Sequence, residues 1–295
     1  MVKKRRRFVA VLWITLFVSA CCQEDFFDSK TDYLLHISVL NFWGENITTD
    51  GDAGDVNLFV FDQDYLYRDK LSISSESIKK DSAIRLTYNK TSNIWLITWS
   101  NLNGSQDLIL KQAESFMQDA SIKLKRDNEG YAINPDDLFY AKNIISSPGS
   151  ATEVAVSLKR KTAKIRIAVK GLTQANDYYF IIDGCKEDAY SFDGESVGDS
   201  IKYRQYGVFN SDKSLFQTPD AFRIFPPSKG NKNSIALYKG TELIVLVDKT
   251  NEASEIVPQA GATTNILIDL TKEDGILGIN VIVTSWDDYY EWVEW

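Results

Sequence analysis

Histidine and cysteine are scarce in this sequence, and their scarcity excludes two kinds of site. The single histidine, His36, rules out zinc sites built from several histidines. It lies within an apolar alternation, where we expect a structural or surface histidine and not a catalytic one. Three cysteines (Cys21, Cys22 and Cys185) are too few for a disulfide framework, so the fold depends on its hydrophobic core. We expect Cys185 to be a lone buried thiol, with a Cys22–Cys185 bridge as the alternative.

Motifs of the common enzyme classes are also scarce. The sequence has neither the glycine-rich loop ending in Gly-Lys-Ser/Thr nor the His-Glu-x-x-His pattern of metalloproteases. Two carboxylates in one cleft could hydrolyse glycosides, but the sequence does not place any pair of acids together. We therefore predict that the protein is not an enzyme and that it needs no cofactor.

Positive charge is outnumbered by negative charge. The chain has 33 Lys and Arg against 41 Asp and Glu, a formal charge of −8. Removing residues 1–20 takes away five cations and no acid, which changes −8 to −13. Such an acidic surface repels phosphate backbones, so nucleic acid is excluded as a partner.

The N-terminus has the organisation of a secretory signal. Five cations at 3–7 precede eleven uncharged residues at 8–18. As a helix this run reaches about 16 Å, whereas a bilayer core is roughly 30 Å thick. Val18-Ser19-Ala20-Cys21 then resembles the bacterial lipobox, which is cut before a cysteine that carries lipid. We predict a lipoprotein signal peptide over 1–20 and lipidation of Cys21, with an ordinary signal peptide as the alternative.

The acidic residues 21–32 are predicted to form a lipidated tether. One acyl chain binds a membrane reversibly, and two or three chains hold a protein there permanently. Acids directly behind the cysteine resemble the surface-export signal of some Gram-negative lipoproteins. A solvated acidic spacer explains them equally well.

Short apolar runs with period two fill the rest of the chain. Turn-forming residues separate these runs, which favours an all-β chain over a parallel α/β fold. One helix is predicted over 106–120, because Leu108, Ala113, Phe116 and Ala120 approximate helical spacing. Residues 71–81 are polar with little periodicity. Strands are predicted at 33–42, 56–62, 83–86, 94–100, 154–158, 165–169, 178–182, 222–225, 243–247, 266–270 and 279–283.

A cationic break, Lys159-Arg160-Lys161, is the best candidate for a domain boundary. It predicts an N-terminal β-sandwich over 33–159 and a C-terminal β-sandwich over 160–295. The three cations are interpreted as solvated residues beside a short linker, with a binding patch as the alternative.

Asp50, Asp52 and Asp55 lie in a turn-rich loop and have two interpretations. Clustered carboxylates are the ligands that calcium prefers, although the EF-hand pattern is not met. Aspartate and glycine also favour tight turns for local reasons. Both interpretations stay open at this point.

The C-terminus is unusually aromatic, because three tryptophans and two tyrosines lie in residues 286–295. As an extended strand, this segment places Tyr290 and Trp292 on one face. The opposite face then carries Tyr289, Val293 and Trp295. These five side chains are the candidate partner-binding residues. The strand either completes its own sheet or is added to a groove of another protein.

Several segments together resemble the fimbrial anchor-subunit family of type V pili, which are lipoprotein pilins at the base of fimbriae. The similar segments occur in the expected order at 55–62, 95–102, 136–140, 156–160 and 165–172. The resemblance implies two tandem transthyretin-like β-sandwich domains. It also implies a lipid-anchored protein of the outer membrane that attaches a fimbrium to the cell surface and contacts pilin subunits.

The resemblance has a further implication for the first strand. Related shaft pilins lose an N-terminal segment to a trypsin-like protease, which opens a groove for a neighbour's strand. Here no arginine lies between Cys21 and Arg68. We therefore expect the first strand to stay in place and the groove to stay closed. A surface lipoprotein that binds glycans through exposed Trp43, Trp292 or Trp295 is the alternative function.

Overall fold

The computed structural model describes residues 30–80, 83–89, 93–146, 152–175, 177–249, 255–272, 277–288 and 290–292. Cys21 and the predicted signal peptide lie outside these residues, and so do Tyr289, Val293 and Trp295. The described residues form 21 strands and one short α-helix. The elements are β1 (Lys30–Leu40), β2 (Val56–Phe61), β3 (Tyr67–Ile73), α1 (Ser75–Lys79), β4 (Ile84–Asn89), β5 (Ile94–Ser100), β6 (Gln106–Ile109), β7 (Ser121–Leu124), β8 (Phe139–Ile145), β9 (Glu153–Arg160), β10 (Ala163–Lys170), β11 (Tyr178–Cys185), β12 (Ala189–Ser191), β13 (Ser196–Val197), β14 (Ile201–Tyr206), β15 (Val208–Phe209), β16 (Leu215–Gln217), β17 (Phe222–Ile224), β18 (Ser234–Lys239), β19 (Glu242–Val247), β20 (Ala262–Asp269) and β21 (Gly278–Ser285).

The first half of the chain forms one seven-stranded sheet in the order β3-β2-β5-β8-β9-β1-β4. Alternate residues of β1 are buried because this strand turns one apolar face inward, whereas β2 is buried on both faces, with Asn57 only partly covered. Leu71 of β3 and Ile84 of β4 come from opposite ends of the sheet, yet both pack against the same two hydrophobic clusters. The sheet therefore curls over on itself and encloses its own core.

The second half packs two sheets face to face. One has the order β15-β16-β10-β20-β21, with β17 also paired to β10, and the other has the order β14-β11-β18-β19. Their shared core contains Ile165 and Ile167 of β10 and Phe180 and Ile182 of β11, all completely buried. Period-two alternation in each strand produces this arrangement, as in other β-sandwiches.

A fourth sheet connects the two halves of the chain. It has the order β13-β12-β7-β6, so it pairs residues 106–124 with residues 189–197. Phe192 packs against Phe59 and Phe61 of β2, with ring centroids 5.0 and 5.7 Å apart. Phe59 and Phe61 of the first sheet thus belong to the same hydrophobic cluster as the core of the second half.

The all-β prediction is confirmed, and the strands at 56–62, 94–100, 165–169 and 266–270 lie close to where the alternation placed them. The short helix, however, is α1 at Ser75–Lys79, in a stretch without clear periodicity. Ser74 caps it by accepting a hydrogen bond from the Ser77 backbone N–H.

The helix predicted over 106–120 is wrong. Residues 106–109 and 121–124 are strands β6 and β7, and turns join them. Ala113 has a positive φ of 57°, which no α-helix accommodates. The N–H groups of Ala113 and Met117 donate to the carbonyls of Tyr67 and Tyr65 across the loop. Long-range backbone pairing therefore replaces the local hydrogen bonds that a helix needs.

The remaining sequence expectations concern single residues. His36 is exposed on the outward face of β1, as expected for a surface histidine. Cys185 is a free, buried thiol, as expected. Within the described ranges, no helix has the length and apolar character required to cross a membrane.

Candidate functional site

The first strand is an interior strand of its sheet, second from one edge. Strand β1 pairs in parallel with β9 and antiparallel with β4, with Leu34 to Leu40 opposite Glu153 to Lys159. The Leu34 N–H also donates to the Thr152 carbonyl over 2.7 Å. The groove between β4 and β9 is therefore filled by the N-terminal strand of the same chain.

The burial of β1 makes its removal costly. Tyr33, Leu35, Ile37 and Val39 all face inward and are buried. Each large apolar side chain of this kind contributes about 1.5–3 kcal/mol through burial. Loss of β1 would also expose unpaired edges on both β4 and β9.

Arg160, at the end of β9, connects three parts of the chain through its guanidinium group. Its Nε lies 3.1 Å from both carboxylate oxygens of Asp137, and its Nη2 bonds to Asp52. The group also lies 4.8 Å from the Phe139 ring centroid and 4.3 Å from that of Trp286. A planar guanidinium suits this combination of carboxylate pairing and ring stacking.

The cationic cluster is not solvated as predicted. Arg160 is only 6% exposed, and Lys161 is half-buried. Lys161 donates to the Gly194 carbonyl over 2.6 Å, and burial lowers its pKa. Only Lys159 points into solvent. The sequence-based interpretation failed because the carboxylates that make this burial possible come from distant segments.

Asp52 and Asp137 both face the guanidinium of Arg160. Burial raises the pKa of Asp137, and the positive charge of Arg160 opposes that rise. No group of three or more His, Cys, Asp or Glu side chains suited to a metal occurs in the described ranges. Because Asp52 is engaged by Arg160, the loop at 50–55 fits the turn interpretation better than the calcium interpretation.

The C-terminal segment folds back over the outer face of β10. The Trp286 ring is buried and lies 4.2 Å from the Lys164 ammonium. Lys164 donates to the Trp286 carbonyl over 3.0 Å, and Thr263 donates to the same oxygen over 3.1 Å. Burial lowers the pKa of Lys164, and the nearby carboxylate of Asp287, 3.6 Å away, opposes that shift.

Tyr290 and Trp292 continue this cover. The Arg166 Nη1 donates to the Tyr290 carbonyl over 2.7 Å, and its guanidinium lies 5.4 Å from the Trp292 ring centroid. The two aromatic rings meet edge to face at 5.3 Å. Neither residue belongs to a strand. The described part of this segment therefore covers β10 without forming a strand. Lys164 and Arg166 of β10 hold it in place, and the sequence pattern did not identify these two residues as its partners.

The three tryptophans of the glycan hypothesis differ in accessibility. Trp43 is 67% exposed, with its ring N–H donating to the Ser285 hydroxyl over 3.1 Å. Trp292 is half-buried against Arg166, and its ring nitrogen is buried. Trp295 lies outside the described residues. Trp43 is therefore the one of the three whose ring is shown to be open to a ligand.

One short pattern that suggests hydrolase chemistry was missed. Gly194-Glu-Ser-Val-Gly198 has the G-x-S-x-G spacing of a nucleophile elbow. Here it forms the hairpin between β12 and β13 and not a strand-to-helix turn. The single histidine, His36, lies in β1 of a different sheet. The pattern therefore lacks the structural context that its chemistry requires.

Comparisons with known proteins agree with the fold. The major fimbrium anchoring subunit FimB of Porphyromonas gingivalis is 25% identical over 305 residues, covering 97% of both chains. The fimbrial anchor protein Mfa2 from the same organism has a TM-score of 0.65 at 15% identity, covering 88% of this chain and 98% of Mfa2. A Bacteroides thetaiotaomicron protein described as polysaccharide-binding has a TM-score of 0.68 at 17% identity, covering 86% and 96%.

The family assignment comes from a sequence model. The model of the fimbrillin-A associated anchor proteins Mfa1 and Mfa2 matches residues 22–291, most of the chain. The family is one of structural fimbrial proteins and not of enzymes. The chain belongs to the family of fimbrillin-A associated anchor proteins.

Proposed function

We propose that this protein is an outer-membrane lipoprotein that anchors a fimbrium to the cell surface. Lipid on Cys21 would hold the N-terminus at the membrane, and the residues between Cys21 and β1 would span the distance to the folded part. Family membership supports the anchoring role. The position of β1 is the observation that carries the proposal, because it ties the tethered end of the chain directly into the core.

The filled groove supports a terminal position in the fimbrium. An accepting pilin must open a groove for a neighbour's strand. Here β1 fills the groove between β4 and β9 with four buried side chains. No arginine precedes Arg68 in the mature chain, so a protease specific for arginine has no site before or within β1. The subunit is then unable to accept a strand there.

The C-terminal segment is the proposed contact with the neighbouring pilin. Its described residues cover β10 through carbonyl and aromatic contacts with Lys164 and Arg166, without a β-ladder. These side-chain contacts can break one at a time, whereas a strand paired within a sheet must lose its backbone hydrogen bonds together. The candidate residues Tyr289, Tyr290, Trp292, Val293 and Trp295 could then be added as a strand to a pilin groove.

Replacing the lipidated cysteine tests the anchoring function. We expect Cys21→Ala to give folded subunit, while fimbriae detach from cells and accumulate in the medium. Fimbriae in the cell and medium fractions would be compared by immunoblot, with Cys22→Ala as the matched control that stays cell-bound. Fimbriae that remain on the cells in the Cys21→Ala strain would contradict the proposal.

Removing residues 287–295 tests strand donation. We expect the truncated subunit to reach the membrane but to lose stable co-isolation with pilin polymers. Thermal unfolding would show whether the shortened protein is folded. If it is folded and fimbriae stay attached, the donation hypothesis is wrong.

Glycan binding through Trp43 is the second candidate function. The 67% exposure of Trp43 favours it, and a protein of similar fold is described as polysaccharide-binding. Trp43→Ala would abolish glycan binding if this site were responsible. The anchor function remains our conclusion, because the family model matches along most of the chain.

A further inference from the structure

A row of tyrosines crosses the outer face of the β14-β11-β18-β19 sheet. Tyr206, Tyr179 and Tyr238 lie directly opposite one another on β14, β11 and β18. The rings of Tyr179 and Tyr238 are stacked, with centroids 5.5 Å apart and planes at 11°. Tyr206 lies 6.0 Å from Tyr179. Directly paired side chains on one sheet face form a continuous surface.

A fourth tyrosine joins the row through an arginine. The Arg204 guanidinium lies 4.5 Å from the Tyr131 ring centroid and 5.6 Å from that of Tyr206. We call Tyr131, Tyr179, Tyr206 and Tyr238 the tyrosine cluster. Its most accessible member, Tyr206, is 62% exposed, and the other three are half-buried.

The hydroxyls of the tyrosine cluster differ from those of the core tyrosines. In the core, the hydroxyls of Tyr140 and Tyr190 donate to backbone carbonyls, and that of Tyr203 accepts from the Phe225 N–H. Across the described ranges, no protein group hydrogen-bonds to a hydroxyl of the cluster. The cluster therefore offers four hydrogen-bonding groups to an external ligand.

The cations beside the cluster are neutralised within the protein. Arg204 forms a two-pronged contact with Glu129, with Nη2 2.8 Å from Oε1, and reaches Asp127 at 3.3 Å. The hydrogen bond from Arg204 lowers the pKa of Glu129. Lys202 pairs with Asp183 over 2.6 Å. A ligand at this face consequently finds rings and hydroxyls but no unpaired cation on β14.

We propose that the tyrosine cluster is a binding site for a neutral carbohydrate. The exposed Tyr206 ring would receive the apolar face of a sugar, since aromatic side chains combine an apolar body with a polar tip. The free hydroxyls would bond to sugar hydroxyls, and Arg204 would hold the Tyr206 ring in position. We favour a neutral ligand, because Arg204 and Lys202 are already paired with acidic side chains. Neither cation is then available to pair with a sulfate or a carboxylate of the ligand.

The site is separate from the anchoring machinery. The cluster lies on the sheet opposite to β10, while the C-terminal segment covers the outer face of β10 itself. A variant could therefore lose carbohydrate binding and keep anchoring, or lose anchoring and keep carbohydrate binding. The two proposals are tested independently.

The experiment measures binding of the full-length protein, in detergent, to an array of neutral polysaccharides. The array would include glucans, mannans and galactans, with heparin and chondroitin sulfate as anionic probes. We expect binding to at least one neutral polysaccharide. Tyr206→Ala should weaken that binding at least about tenfold, a loss expected when a stacking contact disappears.

Two further variants keep the result interpretable. The double variant Tyr179→Phe with Tyr238→Phe keeps the stacked rings and removes only two hydroxyls, so it should also weaken binding without loss of fold. Phe116→Ala removes an exposed ring elsewhere, on the loop between β6 and β7, and should bind as wild type does. The proposal is overturned if no neutral polysaccharide binds, if only anionic probes bind, or if Tyr206→Ala impairs pilin binding alone.

Discussion

Single residues decide how distant segments are joined, and Arg160 is the main example. Its side chain contacts the loop carboxylate of Asp52, the half-buried Asp137 and the C-terminal Trp286. A buried ion pair contributes little net stability when both partners are present, because both charges lose their hydration. Removal of one partner is costly, since the other charge then remains buried.

Replacing Arg160 by alanine should therefore be strongly destabilising. We expect a loss of about 3–5 kcal/mol in the free energy of unfolding, because the carboxylates of Asp52 and Asp137 stay largely shielded from water without their partner. Urea denaturation followed by tryptophan fluorescence measures the change. Arg85→Ala is the matched control: this side chain is 70% exposed and pairs with Asp32, which is 48% exposed, so about 0–1 kcal/mol is expected. Equal losses in the two variants would refute the role of Arg160.

Asp188 makes the stability of the protein depend on pH. Burial would raise the pKa of this carboxyl, but hydrogen bonds from Arg126 and from the Asp199 N–H lower it below its usual value. The stabilisation is present above the unfolded-state pKa of about 3.9 and is lost as pH falls below it. We expect wild-type stability to drop below about pH 4, and Asp188→Asn to show a shallower drop. Parallel pH profiles for the two proteins would exclude this assignment.

Among the elements, β1 connects the N-terminal end of the chain to the core. Successive residues of β1 point to opposite faces of the sheet. A substitution on the inward face can therefore be compared with one at the neighbouring residue on the outward face. Leu35 is completely buried, whereas His36 is exposed. The integrity of the anchor is expected to depend on the inward face alone.

Leu35→Ala should cost about 2–5 kcal/mol of stability through the cavity it leaves. His36→Ala should change stability by less than about 0.5 kcal/mol, as for other surface substitutions. Thermal unfolding of both variants measures the difference. If Leu35→Ala were as harmless as His36→Ala, then β1 would be dispensable for the core and the closed-groove account would lose its basis.

Elements with a simple periodicity could be predicted from the sequence. Strand β10 alternates apolar and cationic residues and β5 is a short, mostly apolar run, and the prediction located both. The segment at 106–120 could not be predicted, because its backbone N–H groups bond to a loop some 50 residues away in sequence, as Met117 does with Tyr65. Arg160 and the tyrosine cluster were also missed, since their partners come from strands whose order no local pattern encodes.

At the scale of the whole molecule, the two ends of the chain have different roles. The N-terminal end enters the core through β1 and cannot leave without disrupting a sheet. The described C-terminal residues lie on the surface of β10 without joining its sheet. This asymmetry suits a protein that is fixed to a membrane at one end and meets a fimbrium at the other.

Mass spectrometry of the mature N-terminus, on protein extracted from outer membranes, tests the central proposal most directly. The account predicts an N-terminal peptide that begins at Cys21, carries acyl chains and continues without cleavage through β1. A mature protein that begins beyond Leu40 and carries no lipid would contradict it. Such a protein would have an open groove and would be a polymerising subunit instead of an anchor.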